Sequence, residues 1–385
     1  MKSAVIITPF DNYSYQVRIK YVEKYLLESG YEVKVLSSDF DHRNKTVYSA
    51  KRDNLELLHV PTYQKNLSFA RINSHRVFAK KVLRRLEETT PNLIYCSAPP
   101  NYLFKYTSKY KKKNPTTKLI YELGDLWPET LPLQGKVKKL SAPALRIWAQ
   151  IRDKNIGFAD GIIYECQMFK DVVSCVHPRV PCKVIYLSKE DFYKGDFSIT
   201  KERTKILRFA YVGSINNIID IDLIIDILLG ISNKRNVELV VIGGGEKAEE
   251  LFTLCNNANI KYVNHGYIYD ESMKHNILRD CQFGLNIMKD SVAVGATMKS
   301  LEYFHEGLIL INNIPSDTKS IVEQYECGFN IQRNNLLEVA EQISKLNDIE
   351  IESIRKKSRN VYMELFETET IKSQFLDFLS IVEKA

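Results

Sequence analysis

The stretch SVAVGATMKSLEYFHEGLILINNIP, residues 291–315, is the part of the sequence that decides the interpretation of the fold. Val294–Ala296 is a short flexible segment, and a helical pattern follows it. The predicted apolar face holds Met298, Leu301 and Phe304, and the predicted polar face holds Lys299, Glu302 and Glu306. Gly307 ends the helix, and Leu308–Ile311 is apolar enough to form a buried parallel strand.

The first turn of this helix has the features of a nucleotide-binding site. Unpaired N–H groups and a partial positive charge make a helix N-terminus a site for anions, and Lys299 adds an ammonium group there. Glu302 lies one turn further on the same face, with a carboxylate suited to accept hydrogen bonds from two hydroxyls. A phosphate beside a diol indicates a nucleotide. The alternative is an i,i+3 ion pair between Lys299 and Glu302 on a solvated helix, worth about 0.3 kcal/mol.

Length and composition indicate a globular protein with two domains. The chain has 385 residues, of which 44% are hydrophobic and 26% charged, and this length exceeds what one ordinary core supports. No apolar run approaches the ~18 residues of a membrane span. The N-terminal MKSAVIITPF predicts a strand rather than a signal peptide. Seven cysteines without a CxxC pair favour a reducing cytoplasm over a disulfide framework or a metal site.

The net charge of +7 conceals a strong difference between the two halves. Residues 1–190 contain 32 Lys and Arg against 18 Asp and Glu, a net charge of +14, and the remainder carries −7. The halves therefore face different partners, and the basic half is suited to nucleic acid, anionic lipid or a phosphorylated substrate.

Apolar strands alternate with helical patterns along the whole chain, which predicts parallel, doubly wound sheets. The polar stretch around residues 191–205 separates two rounds of this alternation. The sequence thus predicts an α/β protein with two tandem Rossmann-like domains that face a central cleft. We expect an N-terminal domain over residues 1–190, a C-terminal domain over 191–365, and a terminal helix over 366–385 that packs back on the first domain.

Loops at four predicted strand ends in the second half have ligand-like compositions: Gly213-Ser214, Gly243–Gly245, Gly266–Ile268 and Val294–Lys299. Glycines allow backbone N–H groups to approach a phosphate closely. The three consecutive glycines lack the full GxGxxG pattern and the acidic residue about 20 positions later, so a tight strand-to-helix turn is the better interpretation of them alone. The missing GxxxxGK[ST] excludes a P-loop NTPase.

Two motifs carry a family resemblance over essentially the whole chain. Lys299–Gly307, continuing into a strand and Ile314-Pro315, resembles the donor signature of retaining GT-B glycosyltransferases of the family 4 type, and Asp125–Glu129 resembles a motif of the subgroup that builds bacterial capsule and O-antigen. The resemblance implies that Glu302 binds ribose, that the residues before it hold the diphosphate, and that Gly213 lets the phosphate approach. The expected donor-binding residues are Gly213, Ser214, Asn217, Gly244, Tyr267, Ile268, Gly295, Ala296, Thr297, Met298, Lys299 and Glu302.

The sequence departs from the family pattern at three places. Val294 replaces the first of the family's two glutamates, so we expect the amides of Gly295–Thr297 to contact the sugar. The basic pair after the Gly213 position is replaced by Ser214, Asn216 and Asn217, which leaves Lys299 to supply the phosphate charge. A polar loop at 11–15 replaces the usual glycines after the first strand. The expected acceptor-binding residues are Asn12, Tyr15, Arg18, Glu122, Trp127 and Glu129.

The expected catalytic residues are Lys299 and Asp125. A helix N-terminus with Lys299 stabilises a leaving diphosphate without a metal, and no DxD-type acidic pair is placed to bind one, so we expect no metal and no cofactor. Asp125 is a candidate acceptor-side base or orienting group. The alternative for Asp125 is to cap the helix that begins at Pro128.

The resemblance implies a lipid-diphosphate-linked saccharide as acceptor and a nucleotide-sugar, UDP-linked by family frequency, as donor. We therefore expect a cytoplasmic protein at the inner face of the cytoplasmic membrane. Two basic clusters resemble a peripheral-membrane surface. The first comprises Lys105, Lys109, Lys111–Lys113 and Lys118 among Tyr102, Tyr106 and Tyr110, and the second comprises Lys136, Lys138, Lys139 and Arg146 near Leu131, Leu133 and Trp148.

Two alternatives remain open. A nucleic-acid-binding protein could use the basic half, but the chain has no helix-turn-helix, zinc or RNA-binding signature, and its second half is acidic, so we expect no nucleic-acid partner. A UDP-sugar epimerase shares the GT-B scaffold, and the Asp125–Glu129 motif argues against it.

Overall fold

A computed structural model describes residues 2–10, 17–50, 52–131, 133, 135–191 and 205–384. The chain forms two compact units. The first comprises Met1–Leu187 together with Ile371–Ala385, and the second comprises Ser188–Thr370.

The first unit is built from strands and helices in alternation. Its strands are β1 (Lys2–Ile7), β2 (Tyr31–Ser38), β3 (Phe40–Asp41), β4 (Thr46–Val47), β5 (Leu55–Leu58), β6 (Leu93–Ala98), β7 (Lys118–Leu123), β8 (Gly161–Tyr164) and β9 (Cys182–Val184). Its helices are α1 (Val17–Glu28), α2 (Phe69–Thr89), α3 (Tyr102–Lys113), α4 (Gly135–Ile156) and α5 (Gln167–Val173).

The main sheet of the first unit is parallel, in the order β5-β2-β1-β6-β7-β8-β9, and β3 and β4 form a separate antiparallel pair. The central strands are buried on both faces because helices cover each side, which explains their continuous apolar runs. The strand order reverses between β1 and β6, the point at which open α/β sheets bind ligands.

The second unit repeats the pattern. Its strands are β10 (Ile206–Ser214), β11 (Asn236–Gly244), β12 (Lys261–Asn264), β13 (Phe283–Asn286), β14 (Ile309–Asn312) and β15 (Gly328–Asn330). Its helices are α6 (Ile221–Ser232), α7 (Ala248–Asn257), α8 (Glu271–Leu278), α9 (Met298–His305), α10 (Asp317–Tyr325), α11 (Leu336–Lys345) and α12 (Asp348–Leu365), and α13 (Thr368–Lys384) ends the chain.

The sheet of the second unit is also parallel, in the order β12-β11-β10-β13-β14-β15. Its core contains the apolar faces of α6 and α11 packed against β10, β11 and β13. The prediction of two Rossmann-like α/β domains is therefore confirmed.

Helix α13 contributes to the core of the first unit. Phe375, Phe378 and Val382 are buried there together with residues of β1, β2 and α1. A Cβ at Gly161 would lie 2.6 Å from Val382 Cγ2 and 2.9 Å from Phe378 Cζ, so β8 and α13 pack closely only because this position has no side chain.

Several predicted details are wrong. The sequence pattern predicts a helix over residues 145–156, whereas α4 begins at Gly135, and it gives no signal for α5 or α8. The two faces of α9 are also not as predicted, because Met298 is 50% exposed and Glu306 is 2% exposed. Within the residues described above, no helix is both long and apolar enough to cross a membrane.

Candidate active site

The donor-side residues predicted from the sequence lie at the switch point of the second sheet. Strand β10 is central, with β11 on one side and β13 on the other, and the chain leaves β13 towards α9. Ligands of open α/β sheets bind beyond the carboxyl ends of the strands at such a point. Gly213, the last residue but one of β10, is in register with Gly243 of β11.

Gly213 and Lys299 are brought together there. Gly213 has φ +113°, and a Cβ at this position would lie 3.3 Å from Lys299 Cε. Gly243 has φ +140°, and its Cβ would lie 2.1 Å from the Gly213 carbonyl oxygen. Glycine is therefore required at both positions by the local backbone, and one consequence is a narrow slot that the Lys299 side chain occupies.

Tyr211, which the sequence analysis missed, fixes the end of the Lys299 side chain. Lys299 Nζ donates to the Tyr211 hydroxyl at 2.8 Å and lies 4.5 Å from the centre of the ring. The same hydroxyl donates to the Ser214 carbonyl oxygen at 2.8 Å. Burial lowers the pKa of Lys299 to about 8, because desolvation disfavours the ammonium form. The ammonium is thus held in place without a carboxylate partner among the described residues.

The N-terminus of α9 is capped internally. Thr297 Oγ1 accepts from the Ser300 N–H at 3.0 Å, and Ser300 Oγ accepts from the Thr297 N–H at 3.2 Å. Helix geometry leaves the N–H groups of Met298 and Lys299 without intrahelical acceptors. The preceding Gly295 carbonyl is anchored by Thr318, whose backbone N–H and hydroxyl donate to it at 3.0 and 2.8 Å.

Glu302 is paired with two lysines from outside its own helix. Lys189 Nζ lies 2.7 Å and Lys274 Nζ 3.2 Å from Glu302 Oε1. Burial opposes the charge of Lys189, but Glu302 and Glu271 raise its pKa above the usual range. The alternative of an ion pair between Lys299 and Glu302 is wrong, because each side chain has other partners. In both ion pairs the closest carboxylate oxygen is Oε1.

Other donor-side candidates lie along the next strand end. Tyr267 packs on Gly244, where a Cβ would lie 3.1 Å from the Tyr267 hydroxyl. Tyr267 is 62% exposed, and its ring is stacked on Tyr269 with centres 6.5 Å apart. Asn217 Nδ2 donates to Glu246 Oε1 at 2.5 Å, which ties the β10 loop to the glycine-rich loop. These contacts place aromatic and amide groups at the same sheet edge as Gly213.

The remaining donor-side candidates differ in exposure. The side chain of Ser214 is exposed at the end of β10, whereas Ile268 and Ala296 are partly buried. Met298 projects into solvent at the first position of α9. The structure thus brings Gly213 into contact with Lys299 and links Ser214 to Lys299 through the Tyr211 hydroxyl. Thr297 caps α9, and Glu302 lies one turn after Lys299 on that helix.

In the first unit, Asp125 caps a turn. Its Oδ1 accepts from the Leu126 N–H at 2.7 Å and also from the Thr130 hydroxyl. The Thr130 N–H donates to the Leu126 carbonyl oxygen at 3.0 Å, which closes a single helical turn. The structure shows the capping contacts that the sequence analysis gave as the alternative, on a turn rather than on a full helix.

Glu129 and Trp127 have structural contacts of their own. Arg152 donates to both carboxylate oxygens of Glu129, at 2.8 and 2.7 Å, in a bidentate pair. The Trp127 ring lies beneath the Arg71 guanidinium, with Arg71 Cζ 4.4 Å from the ring centre. The centres of the Trp127 and Trp148 rings are 6.1 Å apart. Glu129 therefore holds α4 to this turn, while Trp127 forms part of an aromatic surface.

Arg18 and Glu122 lie inside the first unit. Arg18 is 9% and Glu122 2% exposed, and the two side chains form an ion pair. Burial opposes the Arg18 charge, but Glu122 raises the pKa of the guanidinium. Tyr95 also donates its hydroxyl to Glu122 at 2.5 Å. Both side chains thus have internal partners.

Glu165, the residue after β8, is a second acid that the sequence analysis missed. Burial raises its pKa to about 8, with Arg18 acting in the opposite direction and Glu122 and Asp125 adding to the rise. Its only sequence signal is an acid directly after a strand, at the edge where parallel strands end. At neutral pH this carboxyl group is mainly protonated.

Two acceptor-side candidates, Asn12 and Tyr15, lie outside the described residues. Among the residues that the structure describes, no group of three or more His, Cys, Asp or Glu side chains is placed to hold a metal ion.

The two predicted basic clusters differ. In the first cluster Tyr110 is buried, Tyr102 and Tyr106 pack against the core, and Lys111 pairs with Asp160 at 2.8 Å, so the interleaved aromatic surface is wrong. The second cluster lies on α4. There Lys136, Lys139 and Arg146 are exposed, and the side chain of Lys138 is outside the described set.

Comparisons with known proteins agree with this architecture. The sequence matches no protein-family profile and no curated protein sequence. Among solved structures, the lipopolysaccharide outer core galactosyltransferase WaaB in its apo form is 14% identical, with a TM-score of 0.69 over 99% of each chain. HepE from Anabaena in complex with UDP is 16% identical, with a TM-score of 0.70 over 99% of this chain and 100% of HepE.

Sucrose-phosphate synthase from Thermosynechococcus elongatus is 12% identical, with a TM-score of 0.71 over 99% of this chain and 98% of the synthase. At these identities the likeness establishes the fold alone. The chain therefore has the GT-B fold, with two Rossmann-like domains, that these enzymes share.

Proposed function

We propose that this chain is a retaining, metal-independent glycosyltransferase that moves a sugar from a UDP-sugar to a lipid-linked saccharide in surface polysaccharide synthesis. The GT-B fold supports the enzyme class, since the similar structures include a galactosyltransferase and a complex with UDP. We propose UDP rather than GDP as the nucleotide of the donor, because HepE is also described in complex with UDP-glucose.

One observation carries the donor side of this proposal. Lys299 reaches the sheet switch point, packs against Gly213 and is held there by Tyr211. A half-buried ammonium without a carboxylate partner in the described structure has lost much of its hydration, and a bound diphosphate would restore a counter-charge. The chemistry of such a site is that of phosphate recognition.

The α9 turn supplies the rest of the donor site. When the anomeric bond breaks, its electron pair passes to the diphosphate, and the negative charge that develops is stabilised by Lys299 and by the N–H groups at the start of α9. Glu302 Oε2 accepts hydrogen bonds from the ribose hydroxyls, while Lys189 and Lys274 orient the carboxylate through Oε1. This division of tasks needs no metal ion.

The acceptor side is assigned to the first unit. The acceptor hydroxyl loses a proton as its oxygen bonds to the anomeric carbon, and an oxygen of the leaving diphosphate accepts that proton. Asp125, with one carboxylate oxygen engaged in capping, orients the hydroxyl. Helix α4 supports membrane contact, because Leu140 is 83% and Ile147 64% exposed beside Lys136, Lys139 and Arg146. Exposed apolar side chains flanked by basic ones are typical of helices that bind anionic membrane surfaces.

A thermal-shift and transfer experiment tests the proposal. We expect UDP to raise the melting temperature of the wild-type protein without added metal and in the presence of EDTA, and GDP to raise it less. Glu302→Gln should remove most of the UDP shift, whereas Glu323→Gln, on the exposed face of α10, should retain it. Transfer from a UDP-sugar to a membrane fraction should give the α-linkage of an α-configured donor. The absence of any UDP shift would refute the proposal.

A further inference from the structure

A group of basic side chains and aromatic rings lies beside β1 in the first unit. It consists of Lys45, Arg71 and two histidines, His42 and His75, arranged around Tyr63, Trp127 and Phe10. We refer to Lys45, Arg71, His42 and His75 as the Arg71 cluster. The cluster lies next to the end of β1, where the strand order of the sheet reverses.

Arg71 is the centre of the cluster. Its guanidinium stacks on the Trp127 ring at 4.4 Å and lies 5.8 Å from the Tyr63 ring centre. Arg71 Nη1 donates to the Asn66 carbonyl oxygen at 3.0 Å, and Lys45 Nζ donates to the side chain of the same asparagine. Lys45 Nζ also lies 4.9 Å from the Tyr63 ring centre. Two cations are therefore held close together by neutral partners.

Polar atoms of the cluster lack hydrogen-bond partners within the described part of the chain. These atoms are Arg71 Nε, His42 Nδ1 and His75 Nε2, all of them buried. His75 is only 4% exposed and stacks on Trp127 with ring centres 5.9 Å apart. Arg71 Nε is a donor, whereas each of the two histidine nitrogens is a donor or an acceptor according to its tautomer. Buried polar groups are normally satisfied, so these atoms leave unused hydrogen-bonding capacity around a cation.

The charges acting on the cluster are mainly positive. Burial, together with the charge of Arg71 and with His42, lowers the pKa of His75 to about 3. Burial likewise lowers the pKa of His42 to about 4, with Arg71, Lys45 and Arg43 adding to the effect and Asp41 opposing it. Burial lowers the pKa of Arg71, and the charge of Asp125 opposes this change. Both histidines are thus neutral at pH 7 beside cations. An anion bound at Arg71 would offset the excess positive charge of the cluster.

Two exposed apolar side chains lie close in sequence to Asn66. Leu67 is 57% and Phe69 89% exposed, and both lie within three residues of Asn66, which binds Arg71 and Lys45. The cavity beneath the cluster, lined by Phe10, Tyr63 and His75, is about 10 Å³ and holds no more than roughly one water. A diphosphate cannot enter this cavity, so a ligand binds from the solvent side, where Arg71 and Lys45 are partly exposed, and it acts on the buried histidines through its charge.

We propose that the Arg71 cluster binds the phosphate groups of a phosphorylated lipid, with Arg71 and Lys45 on the phosphates and with Leu67 and Phe69 against the apolar chain. Charge complementarity selects the head group, and the exposed leucine and phenylalanine select a ligand that carries an apolar chain. The ligand class is a diphosphate ester of an apolar alcohol. This inference rests on the proposed function, and it assigns the acceptor diphosphate to Arg71 instead of the internally paired Arg18.

Intrinsic fluorescence provides a direct test, because the only two tryptophans of the sequence, Trp127 and Trp148, both lie at this surface. The full-length protein is titrated with farnesyl diphosphate below its micelle concentration, and with farnesol and inorganic pyrophosphate separately. We expect saturable quenching by farnesyl diphosphate, with both fragments binding at least tenfold more weakly. Arg71→Gln should weaken binding about tenfold to a hundredfold, since a charge-assisted contact is lost.

The controls separate this inference from the proposed function. Arg76→Gln removes an exposed cation on the same helix and should bind farnesyl diphosphate like the wild type, and Arg71→Lys should recover part of the affinity. If Arg71→Gln does not fold, the imidazole titrations of His42 and His75 in the wild type are measured by NMR, and bound farnesyl diphosphate should raise both pKa values. Equal loss in Arg71→Gln and Arg76→Gln, equal binding of pyrophosphate, or unmoved histidines would overturn the inference. UDP binding that persists in such a case would leave the proposed function intact.

Discussion

Replacement of Lys299 by methionine is expected to stabilise the unliganded protein while it removes donor binding. The ammonium lies against Gly213 with the Tyr211 hydroxyl as its partner, so the folded state bears the cost of desolvating a charge. Methionine keeps an unbranched chain in the same slot without that cost. Tyr211 loses one contact but still donates to the Ser214 carbonyl oxygen, so no buried donor is left unsatisfied.

The size of the effect follows from the pKa of Lys299, which burial lowers from 10.5 to about 8. A difference of about 2.5 pKa units corresponds to about 3 kcal/mol at pH 7, which is an upper value for the gain in the free energy of unfolding. Between pH 8 and 10.5 the unfolded chain keeps a proton that the folded chain has released. The wild type therefore becomes more stable as the pH rises through this window, and the advantage of Lys299→Met disappears towards pH 10.5.

Urea denaturation at pH 7, 8.5 and 10 measures these differences, and isothermal titration with UDP measures donor binding. The matched control is Lys319→Met on α10, where the lysine is exposed and its replacement should leave both quantities unchanged. A variant Lys299→Met that is less stable than the wild type at pH 7, or that still binds UDP with wild-type affinity, would refute the reasoning.

Three further predictions concern other residues. Tyr211→Phe should weaken UDP binding about tenfold, because Lys299 loses its hydrogen-bond acceptor, and circular dichroism should show an unchanged fold. Glu165→Gln should have little effect on the free energy of unfolding at pH 5 but raise it at pH 9, by at most about 5 kcal/mol. The reason is that a carboxyl group whose folded pKa is about 8 stabilises the fold at low pH and loses that stabilisation as the pH rises. A pH-independent effect would contradict this. The double variant Leu140→Ser and Ile147→Ser should reduce sedimentation with phosphatidylglycerol vesicles without changing UDP binding, and equal sedimentation would show that α4 does not contact lipid.

The fold was predictable because its signals are local. Alternating apolar strands and helices, glycines after helices and the restart of the pattern near residue 205 all lie within short windows of sequence. The position of Lys299 in the first turn of α9 was likewise predictable, since Thr297 is a common N-cap residue and the helical period is clear.

The partners of the site residues were not predictable, because they come from distant parts of the chain. Lys189 and Glu302 are 113 positions apart, and Tyr211 and Lys299 are 88 apart, and no periodic pattern links such pairs. The burial of Arg18 with Glu122 has the same origin, since a charged residue on a helix gives no sign that an acid on a strand will meet it.

The return of α13 to the first unit has a consequence for how the protein is made. On a ribosome, residues 188–370 emerge before residues 371–385, so the second unit can be complete while the first still waits for its last helix. Until then, the face of the sheet that Phe375, Phe378 and Val382 later cover stays open to solvent. A nascent chain stalled short of its final turns would therefore present an apolar surface to chaperones, although most of the first unit was synthesised long before.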